Sequence, residues 1–456
     1  MIAPDHAYLH SADIFRSVLR IEPALEAALG DDHHPQGFRA TFHRMYPRPG
    51  KPATASFIGH FLCNGRQEEA YIIATNGDIR AQAAHREYPY GCTEVDGLSI
   101  SAWRFPMDPA LPALAEASTP TIVGRWLTQA GLLLDNEQFA VHVEEYRPCE
   151  SARIRVAVSE PSQHDHYFTE VEGIVESYRQ PVYIEHPQRT LSIVVVAPEQ
   201  AEYARASLSA ASNLGQRILT SPRPGVYILS SISGARLLDQ LARYTHAHSA
   251  VSTLPRIEAL LDRLPTQPVQ AQSSPALADR LHDYCQEIAR QDVLHTSRPS
   301  YRNRPSPSSR LDHLAKEISS CACSGHTPPI VATYGDFSPE NIIFHPSGTP
   351  SGLRASLYSG TGYREDDLAT LFAHMIVLPL SSPTKYHGIR GLTEKWIKQA
   401  AHTHHPARLY AKIAAGIIAL AAYTSQELTH LYLCAAEELT RRAHHARSAQ
   451  DLHESH

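Results

Sequence analysis

Apolar and polar residues alternate through much of the first half of the chain, and apolar residues recur at helical intervals through much of the second. Ile154, Val156 and Val158 follow the two-residue period of a half-buried antiparallel strand. Two stretches share one plan. In the first, Phe42 to Gly50 precedes alternating residues as far as Leu62, a polar turn from Cys63 to Glu69, and apolar Ala70 to Ala74. In the second, Val141 to Cys149 precedes Ala152 to Val158, a polar turn, and Tyr167 with Phe168. Each reads as strand, Pro-containing turn, strand, turn, strand. The repeat predicts two small sheets or one duplicated lobe.

Between the copies, Phe105 to Leu114 is a Pro-rich connector leading into a short helix. Leu191 to Ala197 reads as a buried strand, Glu199 to Ser212 as a helix and Gly225 to Ser230 as another strand. Helical spacing then takes over in Leu237 to Tyr244, Val251 to Leu264, Ala276 to Ala289 and Ala407 to Ala443, while Ser297 to Arg310 reads as a loop. The order predicts an α+β fold, with a β-rich N-terminal region carrying a duplicated sheet and a helical C-terminal lobe. The expected divisions are residues 1–130 (β-rich repeat and connector), 131–235 (a β-rich lobe) and 236–456 (the helical lobe).

The net charge of −6 gives no basic face for nucleic acid. The N-terminus has neither a basic nor an apolar signal region, and Ala414 to Tyr423 is too short to span a bilayer. The expectation is a soluble, cytoplasmic protein without a membrane partner. Seven scattered cysteines do not form a disulfide framework. Cys321, Cys323 and His326 lack a fourth ligand and a familiar zinc spacing, so they read as ordinary residues near a loop. The groups His246/His248, His402/His404/His405 and His444/His445 read as solvated faces or loops.

The chemistry is concentrated between Pro329 and Phe344, where an apolar stretch leads through a polar loop to another apolar stretch. Asp336 and Asn341 have the separation of a kinase catalytic loop, in which the Asp accepts the hydroxyl proton or orients the nucleophile and the Asn helps hold magnesium. The stretch Tyr334-Gly335-Asp336, with Asn341 following, resembles the aminoglycoside phosphotransferase family, in which a histidine stands where Tyr334 is. Asp367, in Asp-Leu-Ala at 367–369, resembles that family's helix start. The clear matches cover residues 329–378. The resemblance implies a two-lobed kinase-like fold with 131–235 as the N-lobe, Asp336 and Asn341 as catalytic residues, and Asn341 as a metal ligand if magnesium is bound. It also implies a cleft between the lobes lined by Tyr334, Tyr358, Ser359 and Asp367.

Two departures matter. An active family member carries a magnesium-binding Asp between the catalytic loop and Asp-Leu-Ala. Here Tyr358 takes the matching place and Ser359 is the next candidate, and no carboxylate occurs from Leu353 to Tyr363. The phosphate-anchoring lysine of the N-lobe is also missing, since no lysine occurs between Lys51 and Lys316. Val195 takes its place if the strand is Leu191 to Ala197, or Thr169 if it is Tyr167 to Val171. Lys51 lies in a Pro-Gly turn, and Arg153 or Arg155 could approach phosphate with a different geometry. Glu340, Glu365 and Asp366 are the nearest other carboxylates and read as surface groups or helix N-terminal charges.

Three readings remain. One is a degenerate phosphotransferase, without a cofactor, that binds a peptide or small-molecule substrate or a protein partner. By resemblance this belongs in a specialised-metabolite pathway, ribosomal peptide modification included. The second is an active kinase using ATP and magnesium on a small-molecule hydroxyl or on peptide Ser/Thr. The third is a structural subunit.

Overall fold

The structure is a computed structural model that describes residues 14–15, 17–30, 36–46, 52–77, 79, 90–134, 137–159, 189–210, 212–244, 254–265, 280–293, 307–424 and 426–454. Strands fill the N-terminal half and helices the C-terminal half, as expected of the α+β class. The chain forms two compact units, Met1–Ala204 with Ile218–Ser231, and Arg205–Arg217 with Ile232–His456.

The first unit holds two five-stranded antiparallel sheets. One contains β1 (Gln36–Tyr46), β2 (Thr54–Cys63), β3 (Arg66–Thr75), β4 (Tyr90–Val95) and β5 (Leu98–Arg104), in the order β1-β2-β3-β5-β4. The other contains β6 (Gln138–Arg147), β7 (Ser151–Ser159), β8 (Arg189–Val196), β9 (Ile218–Arg223) and β10 (Val226–Leu229), in the order β6-β7-β8-β10-β9. The strand order is the same in both. Each first strand also shifts register at a similar place, between Phe42 and Arg44 in β1 and between Val143 and Glu145 in β6. Such bulges bend a strand and are fixed features of a sheet. The second copy's third strand is β8, whereas Tyr167, Phe168 and Thr169, like Lys51, lie outside the described residues.

Helix α1 (Val18–Ala27) buries Ile21 and Leu25 against Phe57, Ile72 and Ile100 on one face of the first sheet. The opposite face contributes Ile73 and Trp103 to a core with Leu114 and Leu127 of the connector and Ile154, Ile193 and Ile228 of the second sheet. Leu127 lies on α2 (Pro120–Gln129), which opens on a proline because that position needs no N–H partner. Asp108 pins the connector from within. Tyr146 Oη and the Cys149 N–H both donate to its Oδ2, at 2.8 and 2.7 Å. Between β8 and β9 lies α3 (Ala201–Ala210).

The second unit is mainly helical: α4 (Leu237–Ala242), α5 (Leu254–Leu261), α6 (Leu281–Val293), α7 (Pro307–Ala322), α8 (Arg364–Ser381), α9 (Arg390–Thr403), α10 (Pro406–Ala421) and α11 (Gln426–Glu454). Leu368 and Phe372 of α8, Trp396 of α9, Ile413 and Ile417 of α10 and Leu439 of α11 share its core. Helix α7 begins inside the stretch expected to be a loop, at Pro307, again because proline suits a first helical turn. The histidines at 402–405 are not all solvated, since His405 Nδ1 accepts the Arg408 N–H at 3.4 Å and caps α10. Two small sheets complete the unit: β11 (Ala235–Arg236), β13 (Ile342–Phe344) and β14 (Pro350–Leu353) in one, and β12 (Val331–Thr333) with β15 (Gly360–Gly362) in the other. No helix among the described residues is long and apolar enough to cross a membrane.

Candidate functional site

Residues 334–341 join β12 to β13, and three contacts shape this loop. Gly335 has φ +78°, a left-handed conformation that favours glycine. A Cβ there would lie 2.0 Å from the carbonyl oxygen of Tyr358, so the backbone of 358 is packed directly on the loop. Asp367, at the start of α8 and 1 % exposed, accepts the N–H groups of Tyr334 and Gly335 on its two oxygens, each at 2.9 Å. The Tyr334 ring is fully buried, edge-on to Phe337, and its hydroxyl donates to the carbonyl of Arg354. Ser359 Oγ donates to the Tyr334 carbonyl at 3.3 Å. Tyr334, Ser359 and Asp367 thus hold the loop from below.

Burial pushes the Asp367 carboxyl up to about 7, against the two backbone N–H groups that favour its ionised form. In the unfolded chain it titrates near 3.8. Between those values the folded state binds more protons, so this residue's contribution to stability falls as pH rises through that window. Asp367→Asn removes the titration. Urea unfolding of both proteins should show a stability difference that favours wild type most near pH 4.5 and shrinks toward pH 7.5, with a slope of up to about 1.4 kcal/mol per pH unit. A difference independent of pH would refute this assignment.

Asn341 closes the loop on itself. Its Nδ2 donates to the Asp336 carbonyl at 2.9 Å and to Ser338 Oγ at 3.2 Å. Asp336 and Asn341 are both half-buried. The β13–β14 hairpin pairs Ile342 with Leu353, and the Arg354 N–H donates to the Asn341 carbonyl at 2.9 Å. The residues across from Asn341 are therefore Arg354 and Ala355, while Tyr358 lies farther on, against Gly335. The five-stranded sheet, with a helix between its third and fourth strands, precedes this anchored loop and hairpin in the chain. The fold is kinase-like.

Solved structures are similar to it at low identity. A choline/ethanolamine kinase family protein from Mesorhizobium loti is 15% identical over 57% of this chain and 83% of its own, with a TM-score of 0.36. A choline kinase from Cryptosporidium parvum is 13% identical over 69% and 90%, with a TM-score of 0.38. An aminoglycoside phosphotransferase from Streptomyces rimosus is 16% identical over 70% and 98%, with a TM-score of 0.33. No protein-family model and no curated protein matches the chain.

Some residues at the site carry no sequence signal. Gln216, 4 % exposed, accepts the Ala355 N–H on Oε1 at 2.7 Å, and Ser207 Oγ donates to the Ser359 carbonyl at 3.1 Å. Both are far from the loop in sequence and belong to no motif. Glu365 is not a surface group. It is 3 % exposed and takes a two-pronged bond from Arg408, at 2.9 and 2.7 Å. Its neighbour Asp366 accepts the Tyr363 N–H at 3.0 Å as a helix cap and Lys412 Nζ at 2.6 Å. Glu340 is exposed. Among the described residues no group of three or more His, Cys, Asp or Glu side chains is placed to hold a metal.

Proposed function

We propose that this chain is a phosphotransferase-like protein that binds a hydroxyl-bearing small molecule or peptide and does not carry out magnesium-dependent phosphoryl transfer. The observation that carries the reading is the hairpin register. It sets Arg354 and Ala355 across from Asn341, where a kinase-like enzyme would need a magnesium-binding carboxylate. The donor set does not fit the metal. Asn341 could offer only its amide oxygen, since its Nδ2 donates to the Asp336 carbonyl and to Ser338 Oγ, and no carboxylate occurs from Leu353 to Tyr363 to join it. Without the ion, the charge developing on a transferring phosphoryl group loses a main stabiliser. The resemblance to a family of antibiotic and small-molecule phosphotransferases supports a specialised-metabolite setting, with a peptide or a protein partner within it.

One observation favours the competing reading of an active kinase: the loop bearing Asp336 is fully anchored by Asp367 and Tyr334. Calorimetry with ATP, in magnesium and in EDTA, separates the two. Wild type should show no magnesium-dependent gain in ATP affinity, and Ala355→Asp should acquire one. Tight magnesium-dependent ATP binding by wild type, with phosphate transferred to any hydroxyl, would overturn the reading.

A further inference from the structure

We infer that the outer edge of β1 takes an acidic, extended peptide as a sixth strand of the first sheet. β1 is 11 residues long and pairs with β2 on one side only. Among the described residues no backbone hydrogen bond reaches its other side. The opposite edge of the same sheet is closed by α1, which lies so near β4 that a Cβ on Gly91 would meet the Ala24 carbonyl oxygen at 1.8 Å. A long uncovered edge presents a row of N–H and C=O groups ready to pair with another strand. Main-chain hydrogen bonds then supply affinity, and alternate side chains supply specificity.

The register decides which side chains would flank an added strand, because residues directly opposite in antiparallel strands share a face. Arg44 pairs with Ser56, Ser56 with Ile73 and Ile73 with Trp103, so Arg44 ends a row that is buried from Ser56 onward. Arg39 and Thr41 lie on the same face, opposite His60 and Ile58. All three are exposed. The other face of β1 is apolar, where Ala40, Phe42 and Met45 pack at the margin of the core under α1. An added strand therefore meets arginines on one face and apolar side chains on the other, and the matching peptide alternates acidic with apolar residues.

The charge along this edge has one sign. β1 carries Arg39, His43 and Arg44 and no acidic side chain. Arg44 forms no ion pair among the described residues and lies over the Tyr46 ring at 4.3 Å, while Arg39 has Glu22 at 4.0 Å, the limit of an ion pair. His43, the extra residue of the bulge, is hydrogen-bonded to Ser56 Oγ at 3.0 Å. At the matching bulge the edge strand β6 carries Glu144 and Glu145, so a basic edge is not a general property of the repeat. Like charges directly opposite destabilise a strand pair, which disfavours β1 of a second copy as the occupant. The site belongs to the first unit, and it stands whether or not the loop at 334–341 transfers phosphate.

The test uses the full-length chain and a fluorescent peptide of alternating valine and glutamate, about ten residues long, read by anisotropy. A valine–lysine peptide of the same length is the control. The glutamate peptide should bind and protect the amides of β1 from hydrogen exchange, and the lysine peptide should not bind. Arg44→Glu and Arg39→Glu should each weaken binding by about 10-fold, by turning a favourable cross-strand pair into a repulsive one. Two N-methylated forms of the glutamate peptide read the geometry on the unaltered protein. An added strand uses the N–H groups of one edge only, so methylating one alternate set should abolish binding and methylating the other should preserve it. Failure of the glutamate peptide to bind, or equal binding of both methylated forms, overturns the inference. Protection of β1 that rises with protein concentration in the absence of peptide would show a second copy on this edge, and overturns it as well.

Discussion

Arg408→Ala lowers the free energy of unfolding by about 3–5 kcal/mol, the cost of stranding a buried carboxylate. Glu365 is 3 % exposed and Arg408 is 7 % exposed. The guanidinium also donates to the carbonyls of Ser324 and His326, at 3.0 and 2.8 Å, so removal orphans four acceptor contacts at once. Lys412 lies 4.0 Å from Glu365 but is bonded to Asp366 at 2.6 Å, and it compensates only in part. Chemical denaturation measures the effect. The double variant Glu365→Gln/Arg408→Met should recover much of the loss, because a neutral pair needs far less desolvation. If the single variant costs less than about 1 kcal/mol, the pair behaves as an exposed one and this account is wrong.

Gly335→Ala should be the most damaging single-methyl change at the site. A left-handed conformation costs a residue with a side chain about 1–2 kcal/mol. At Gly335 the new Cβ also meets the Tyr358 carbonyl at 2.0 Å, a backbone atom that no rotamer change can move. Gly348 provides an internal control, since it has φ +79° and nothing within 4 Å of its Cβ position. Gly348→Ala should cost the backbone term alone. The excess loss in Gly335→Ala, read by urea denaturation of both variants, reports the packing of residue 358 on the loop. Equal losses would show that the loop and Tyr358 are not in firm contact.

The loop was legible in the sequence because its parts are contiguous. Gly335, Asp336 and Asn341 lie within one turn between two apolar stretches, and Asp367 opens a helix whose own pattern is clear. The strands showed themselves by alternation, since each sheet presents one side to a core. Spacing alone left the residue opposite Asn341 undecided over several positions, because hairpin length varies and only the Ile342–Leu353 pairing fixes it. The matching strand order was hidden for a similar reason. The third strand of the second copy stands apart from its second strand, so the repeat looked complete too early. The pairing of Glu365 with Arg408 joins residues on two helices with no shared period, and polarity in sequence does not reveal burial.

The path of the backbone has a practical consequence. The chain leaves the first unit after Ala204, contributes Arg205–Arg217 to the second, and returns for Ile218–Ser231 before leaving again. The excursion carries Leu214 into the helical core, forms a parallel bridge from Gly215 to Leu353, and delivers Gln216 to the Ala355 N–H. No single cut therefore yields both units whole. A fragment beginning at Ile232 lacks part of its own interior, and one ending at Ser231 takes that part with it. Fragments made this way should fold poorly alone, and a plan to isolate either half needs a rejoined chain in which 205–217 is grafted ahead of residue 232.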